Sequence, residues 1–267
     1  MKEQKKFSVQ FLRLWRGVRV RLSSVLILCL ASCLIAAQSL TAVNLTCENQ
    51  LNPLGIDNAF PEFGWQLISN QRGVLQNSYR ILVSDDIGNI NKNEGDVWDT
   101  KKVNKSSCIH IRYEGKVLQP NKTYYWKVMV WDNKNNASHW SKTAVWQTGL
   151  LIKNDWKNAQ WIAYSTLPDS LRIVPAESGK GSKKRNALND ILPLLRKNFV
   201  VKKSLKKATV FISGLGQFEM HLNGTKVGDH FLDPTWTEYN KEAMYVTFNV
   251  TKQLKLGQNA IGVMLGN

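Results

Sequence analysis

Carboxylates, histidines and cysteines are the side chains that can move protons, attack carbon or hold metals. The acids that cluster fall at Asp85-Asp86, at Asp96 and Asp99, and at Asp229, Asp233, Glu238 and Glu242. Hydrolysis by a carboxylate pair needs one protonated carboxyl at the leaving atom and one carboxylate behind the attacking water, both within reach of the same bond. The acids here are adjacent in sequence or lie in turn-rich segments, where carboxylates are solvated or cap backbone amides. No catalytic residue is therefore assigned. His110, His139, His221 and His230 have neither Cys-His nor His-x-x-x-His spacing. No metal site is expected beyond calcium held by dispersed oxygens, which leaves no sequence signature. The sequence has no Gly-x-Gly-x-x-Gly run, phosphate loop or serine nucleophile elbow, and no cofactor is expected.

One cluster has the composition of a ligand contact. Asp233, Trp236, Glu238 and Tyr239 combine rings that can stack on a sugar with carboxylates that accept hydroxyl hydrogens. The plainer reading is that Pro234 and its neighbours only shape a loop at a domain interface, since an aromatic near an acid is common in loops.

The elements that must position these residues read as β-structure throughout. From 42 to 150, short β-branched and aromatic runs are separated by Asn, Gly, Asp and Pro clusters. Strands are expected at Leu45–Glu48, Phe63–Ile68, Ser78–Ser84, Val97–Thr100, Ser107–Ile111, Thr123–Asp132 and Thr143–Thr148, the number an immunoglobulin or fibronectin type III-like sandwich requires. In the run 124–131, period two places Tyr124, Trp126, Val128 and Val130 on one face, the better core face. Trp65, Trp98 and Trp146 supply further bulk for such a core, whereas Trp131 and Trp140 flank a polar loop and are candidates for exposed contacts. From 194 to 267, strands are expected at Leu195–Val201, Ala208–Ser213, Gln217–Leu222, Ala243–Val250 and Asn259–Leu265. Asn223-Gly224 suits a two-residue hairpin turn, because both residues accept positive φ.

The net charge of +16 is concentrated in two places. Residues 1–22 carry a net +6 and residues 171–207 a net +9, leaving almost none for the rest, so a nucleic-acid partner is not expected. The first basic block runs into the apolar stretch Val25 to Ala37, the order of a secretory signal and too short for an ordinary membrane span. Residues 1–37 are read as a signal peptide and the protein as exported, to the periplasm, the outer membrane or the medium of a bacterium. Leu30-Ala31-Ser32-Cys33 also has the form of a lipobox, in which Cys33 would be acylated; cleavage nearer Ala37 fits the small-residue rule equally well. A membrane partner is expected only through that anchor. Cys47 and Cys108 match no zinc or redox spacing and are read as thiols or one bridge. Residues 151–193 are read as a linker with an exposed basic insertion.

Several runs, taken in order, resemble a known family. Phe63-Gly64-Trp65, Ser78 to Val83, Gly95 to Thr100, Tyr124 to Asp132, Ser138-His139-Trp140-Ser141 and Thr148 to Leu151 are similar to the N-terminal fibronectin-like module of bacterial α-L-rhamnosidases. Asp155-Trp156 to Ile162 resembles the joint to the next module. Ala208 to Gly216, Phe218 to Gly228, Leu232 to Thr237, Tyr245 to Thr251 and Gly257 to Asn267 resemble the rhamnosidase N-terminal β-sandwich. The resemblance implies an all-β chain in which a fibronectin-like sandwich at 42–150 precedes a jelly-roll-like, galactose-binding-like sandwich at 194–267 that stops short of its family counterpart. It further implies a rhamnose-containing carbohydrate as substrate. The inverting acids would lie on a downstream (α/α)6 barrel, so the chain alone is expected to be inactive, with that barrel among the missing downstream domains of the parent enzyme. The incomplete second sandwich is expected to leave Ile261–Leu265 as an unpaired edge. Two alternatives stay open: a non-catalytic carbohydrate-binding or scaffolding protein, and an N-terminal segment of a β-galactosidase-like enzyme.

Overall fold

In the computed structural model, which describes residues 40–163 and 193–266, two β-sandwiches follow one another. The expected leader with Cys33 and nearly all of the basic insertion lie outside the described residues.

The first module comprises β1 (Thr41–Cys47), β2 (Leu54–Ile56), β3 (Glu62–Ile68), β4 (Gln76–Ser84), a short helix α1 (Ile87–Asn91), β5 (Trp98–Asp99), β6 (Ile111–Arg112), β7 (Thr123–Asp132) and β8 (Ala144–Thr148). One sheet runs β1-β3-β6 and the facing sheet β2-β8-β7-β4-β5. As alternation requires, Tyr124, Trp126, Val128 and Val130 of β7 are all buried between the sheets. Phe63 from the opposite sheet meets Trp126 at 4.4 Å between ring centroids and Trp146 edge-on at 5.2 Å. Burying such side chains stabilises by about 1.5–3 kcal/mol each. Trp65 is buried too, and its indole Nε1 donates to Gln76 Oε1 at 2.9 Å, which satisfies the one polar atom it carries inward.

The Ser138-His139-Trp140-Ser141 run substitutes for a strand partner. The Ser138 and Ser141 hydroxyls accept from the Val130 and Val128 amides at 3.0 and 3.1 Å, and both serines donate their own amides back to β7 carbonyls. Side-chain oxygens thus complete the upper half of β7 where β8 does not reach it.

Two expectations for this module are corrected. The strand expected at Ser107–Ile111 is reduced to β6, because His110 adopts a φ of 54°, and the Cys108 carbonyl accepts instead from the Trp65 amide at 2.9 Å. The unexpected helix α1 is too short to show periodicity in sequence; Asp86 caps it by accepting from the Gly88 amide. Its Ile90 and Leu82 of β4 are both buried outside the cluster between the sheets, and the Lys127 ammonium donates to the Ile90 carbonyl.

The second module comprises β9 (Leu194–Val201), β10 (Thr209–Ser213), β11 (Phe218–Leu222), β12 (Thr225–Lys226), β13 (Tyr245–Asn249) and β14 (Gly257–Leu265). Its sheets run β12-β11-β14-β9 and β10-β13 around Phe218, Met220, Leu222, Val227, Phe248 and Val250. Asn223 and Gly224 take φ values of 51° and 84°, as the turn demands. The expected free edge at Ile261–Leu265 is overturned. β14 is an interior strand, paired with β11 from Phe218↔Leu265 to Leu222↔Ile261 and with β9 from Gly257↔Val201 to Met264↔Leu194. β9, earlier in the chain, supplies the partner that the expectation assigned to later segments.

Candidate functional site

The loop between β12 and β13 keeps its four candidate residues close in sequence but gives them separate partners. Asp233 is tied down twice: its carbonyl accepts from the Phe218 amide of β11, and its carboxylate meets His230 Nδ1 at 2.9 Å. Glu238 is exposed and pairs with Lys241 at 2.8 Å. Tyr239 is half-buried, its hydroxyl shielded from solvent and without a hydrogen-bond partner. Trp236 alone presents an open ring, 64% exposed. Phe231 is a second exposed ring that sequence reasoning missed, with the Lys226 ammonium 4.1 Å from its centroid. The loop therefore offers aromatic faces, while Asp233 and Glu238 are engaged locally.

Among the described residues, the remaining titratable groups do not assemble a general acid and base. Asp99 is held well below the usual carboxylate range, first by the Arg80 guanidinium bonded to it and then by Lys101. Glu219 is lowered by its bond to Lys226. Asp85 and Asp96 line one depression of about 170 Å³, yet the Lys122 ammonium is bound to Asp85 and is itself raised by that contact. A general acid requires the opposite shift, toward the protonated carboxyl. His110 and His221 each face a carboxylate, Glu62 and Glu219, and among the described residues no group of three His, Cys, Asp or Glu side chains is placed to hold a metal ion. Cys47 and Cys108 are free thiols; burial pushes the Cys47 thiol above its ordinary value. Trp131 and Trp140, expected to be open, are half-buried beneath cations: Lys102 sits 4.7 Å from the Trp131 ring, and Arg80 and Lys127 lie over Trp140.

A further polar constellation lies where the modules meet. Asp155 accepts from the Leu151 and Ile152 amides at 2.8 and 2.9 Å and so turns the chain into the short 3-10 segment Lys153–Trp156. That places the Trp156 ring edge-on against Tyr245 of β13, 5.6 Å between centroids. The Tyr245 hydroxyl accepts from the Leu150 amide at 3.0 Å, and Gln147 of β8 donates to Thr209 of β10 at 3.1 Å. Burial raises the Tyr245 hydroxyl above its ordinary pKa, which keeps it neutral. Two glycines permit the approach. A Cβ at Gly149 would stand 2.2 Å from the Tyr245 oxygen, and one at Gly55 of β2 would stand 2.4 Å from Thr247 Oγ1. In sequence, Asp155-Trp156 to Ile162 resembled a joint between modules, and Tyr245 and Thr247 alternated with Val246 and Phe248, but neither signal says what covers Tyr245.

Residues 42–152 match the family profile described as "Rha78A-like, N-terminal immunoglobulin domain", and residues 203–267 match "Alpha-L-rhamnosidase N-terminal domain". The chain carries the N-terminal domains of the α-L-rhamnosidases. It is 37% identical over 218 residues to an α-L-rhamnosidase of Formosa agariphila, an alignment that takes in 81% of this chain and 23% of the relative. An α-L-rhamnosidase of Alteromonas sp. is 33% identical, over 82% of this chain and 22% of its own length. The solved α-L-rhamnosidase of Dictyoglumus thermophilum superposes with a TM-score of 0.74 at 38% identity, over 85% of this chain and 25% of that one. The chain thus spans about a quarter of the length of the rhamnosidases it matches. The joint around Tyr245 lies between the two matched domains, so it links two rhamnosidase modules.

Proposed function

We propose that this chain is the N-terminal accessory region of an exported α-L-rhamnosidase, an enzyme that removes terminal α-L-rhamnosyl residues from rhamnose-containing polysaccharides or glycosides. The observation that carries this reading is the order of the two rhamnosidase domains, joined through Tyr245. In this role the described residues position and bind; the acid and base that cleave the glycoside lie outside them. Residues 1–37 act as the export signal, with Cys33 or the neighbourhood of Ala37 as the cleavage point.

The test is turnover of an aryl α-L-rhamnoside by the purified 267-residue chain, with no release above the buffer rate expected; rhamnose release would overturn the accessory role. Mass spectrometry of the mature N-terminus separates acylation at Cys33 from simple cleavage. A second reading, a carbohydrate-binding module, is favoured by the exposed rings of Trp236 and Phe231. Calorimetric titration with L-rhamnose decides it: millimolar or tighter binding that Trp236→Ala abolishes supports it, and absence of heat removes it.

A further inference from the structure

Neither face of the β10-β13 sheet is free. Strand alternation turns Val210, Ile212, Val246 and Phe248 onto the second module's own core, and turns Thr209, Tyr245 and Thr247 the other way. That outward face is the one that meets the first module, through Gln147, Leu150 and Gly55. A two-stranded sheet is marginally stable at best in water and needs packing to persist. The packing inside its own module is thin: every residue of β10 is half-buried, and in β13 only Phe248 is fully buried.

We propose that the first module is the folding partner of this sheet: the rim formed by β2, the end of β8 and the Trp156 turn covers the outward face of β10 and β13, so the sheet stays ordered only while docked. The inference concerns this chain alone and does not depend on the rhamnosidase reading.

The close fit argues for a specific contact. With a hydrogen at each Cα, Gly55 and Gly149 let backbone approach the Thr247 and Tyr245 side chains to distances that a methyl group would block. The contacts are also spread over separate points, since Lys207 ahead of β10 reaches Thr123 at the start of β7. Elements that share buried surface open together, and elements that do not open separately.

The experiment wedges the joint from the second module's side and reads the sheet. Thr247→Tyr adds bulk only on the outward face, opposite Gly55, and leaves the second module's core untouched. Small-angle scattering on the full chain reports separation of the modules, and hydrogen exchange reports the strands. The expected result is a larger radius of gyration together with roughly tenfold or greater acceleration of exchange across 209–213 and 245–249, while the β4 and β7 amides keep their wild-type protection. Separation with unchanged protection of β10 and β13 would overturn the proposal, as would modules that stay together despite the wedge. Tyr245→Phe is the milder variant and leaves the Leu150 amide without its acceptor. Faster exchange at Leu150 and along β13 is expected, and exchange that rises at neither place counts against the proposal.

Discussion

Arg80 of β4 and Asp99 of β5 meet in a two-bond fork, with Nε 2.9 Å from Oδ1 and Nη2 2.8 Å from Oδ2. The Lys101 ammonium reaches the same carboxylate at 2.6 Å. β5 is only two residues long, and the side-chain bonds to Asp99 add to the backbone bonds that hold residues 97–103 along β4. Asp99→Asn should destabilise the first module by about 1–2 kcal/mol near neutral pH, less than a buried pair because the Arg80 side chain is a third exposed.

The same pair sets an acid limit. Asp99 has a folded pKa below its unfolded value near 4, so its contribution is fully present above about pH 4 and disappears as pH falls through the folded value. Denaturant titrations of wild type and Asp99→Asn should therefore differ most at neutral pH and converge toward about pH 2. A gap that holds constant from neutral to acid pH would show that the fork is not the cause.

Ser141→Ala removes the oxygen that accepts from the buried Val128 amide and adds nothing in its place. An orphaned buried amide costs about 1–3 kcal/mol, and urea unfolding of the first module should report a loss in that range. Ser141→Thr keeps an oxygen and should recover part of it.

Asn259 of β14 is 3% exposed, and both ends of its amide are in use. Its oxygen accepts from Asn223 Nδ2 and the Lys255 amide, and its nitrogen donates to the Lys255 and Gly257 carbonyls. This network ties the turn before β14 to the β11-β12 hairpin. Asn259→Leu should cost about 2–4 kcal/mol, because several polar groups lose partners at once. The expected signature is a lower midpoint for the second module's tryptophan-independent far-ultraviolet transition, with Trp126 and Trp146 fluorescence in the first module affected less.

Trp236→Ala and Glu238→Gln act on exposed side chains and should shift thermal stability by no more than about 0.5 kcal/mol. A larger loss would mean that the loop between β12 and β13 has a structural role that its exposure conceals.

Alternation along β7, the aromatic bulk at Trp65 and Trp146, and the Asn223-Gly224 turn were all legible in the amino-acid order, because each is a local property of residue type, backbone period and allowed φ. The order of rhamnosidase-like runs was legible as a resemblance carried by short stretches of sequence. Whether the acids of the β12-β13 loop converge was not legible. Asp233 and Glu238 turned instead to His230 and Lys241, since a side chain's choice among nearby partners depends on loop geometry. Lys127 was equally opaque: its burial follows from α1 folding back over β7. The interior position of β14 and the covering of Tyr245 by the first module are choices among distant partners. Alternation states which face of a strand is apolar and which is polar, but the identity of what packs there is set by loop closure and by competition for the same surface, and only the folded chain resolves that competition.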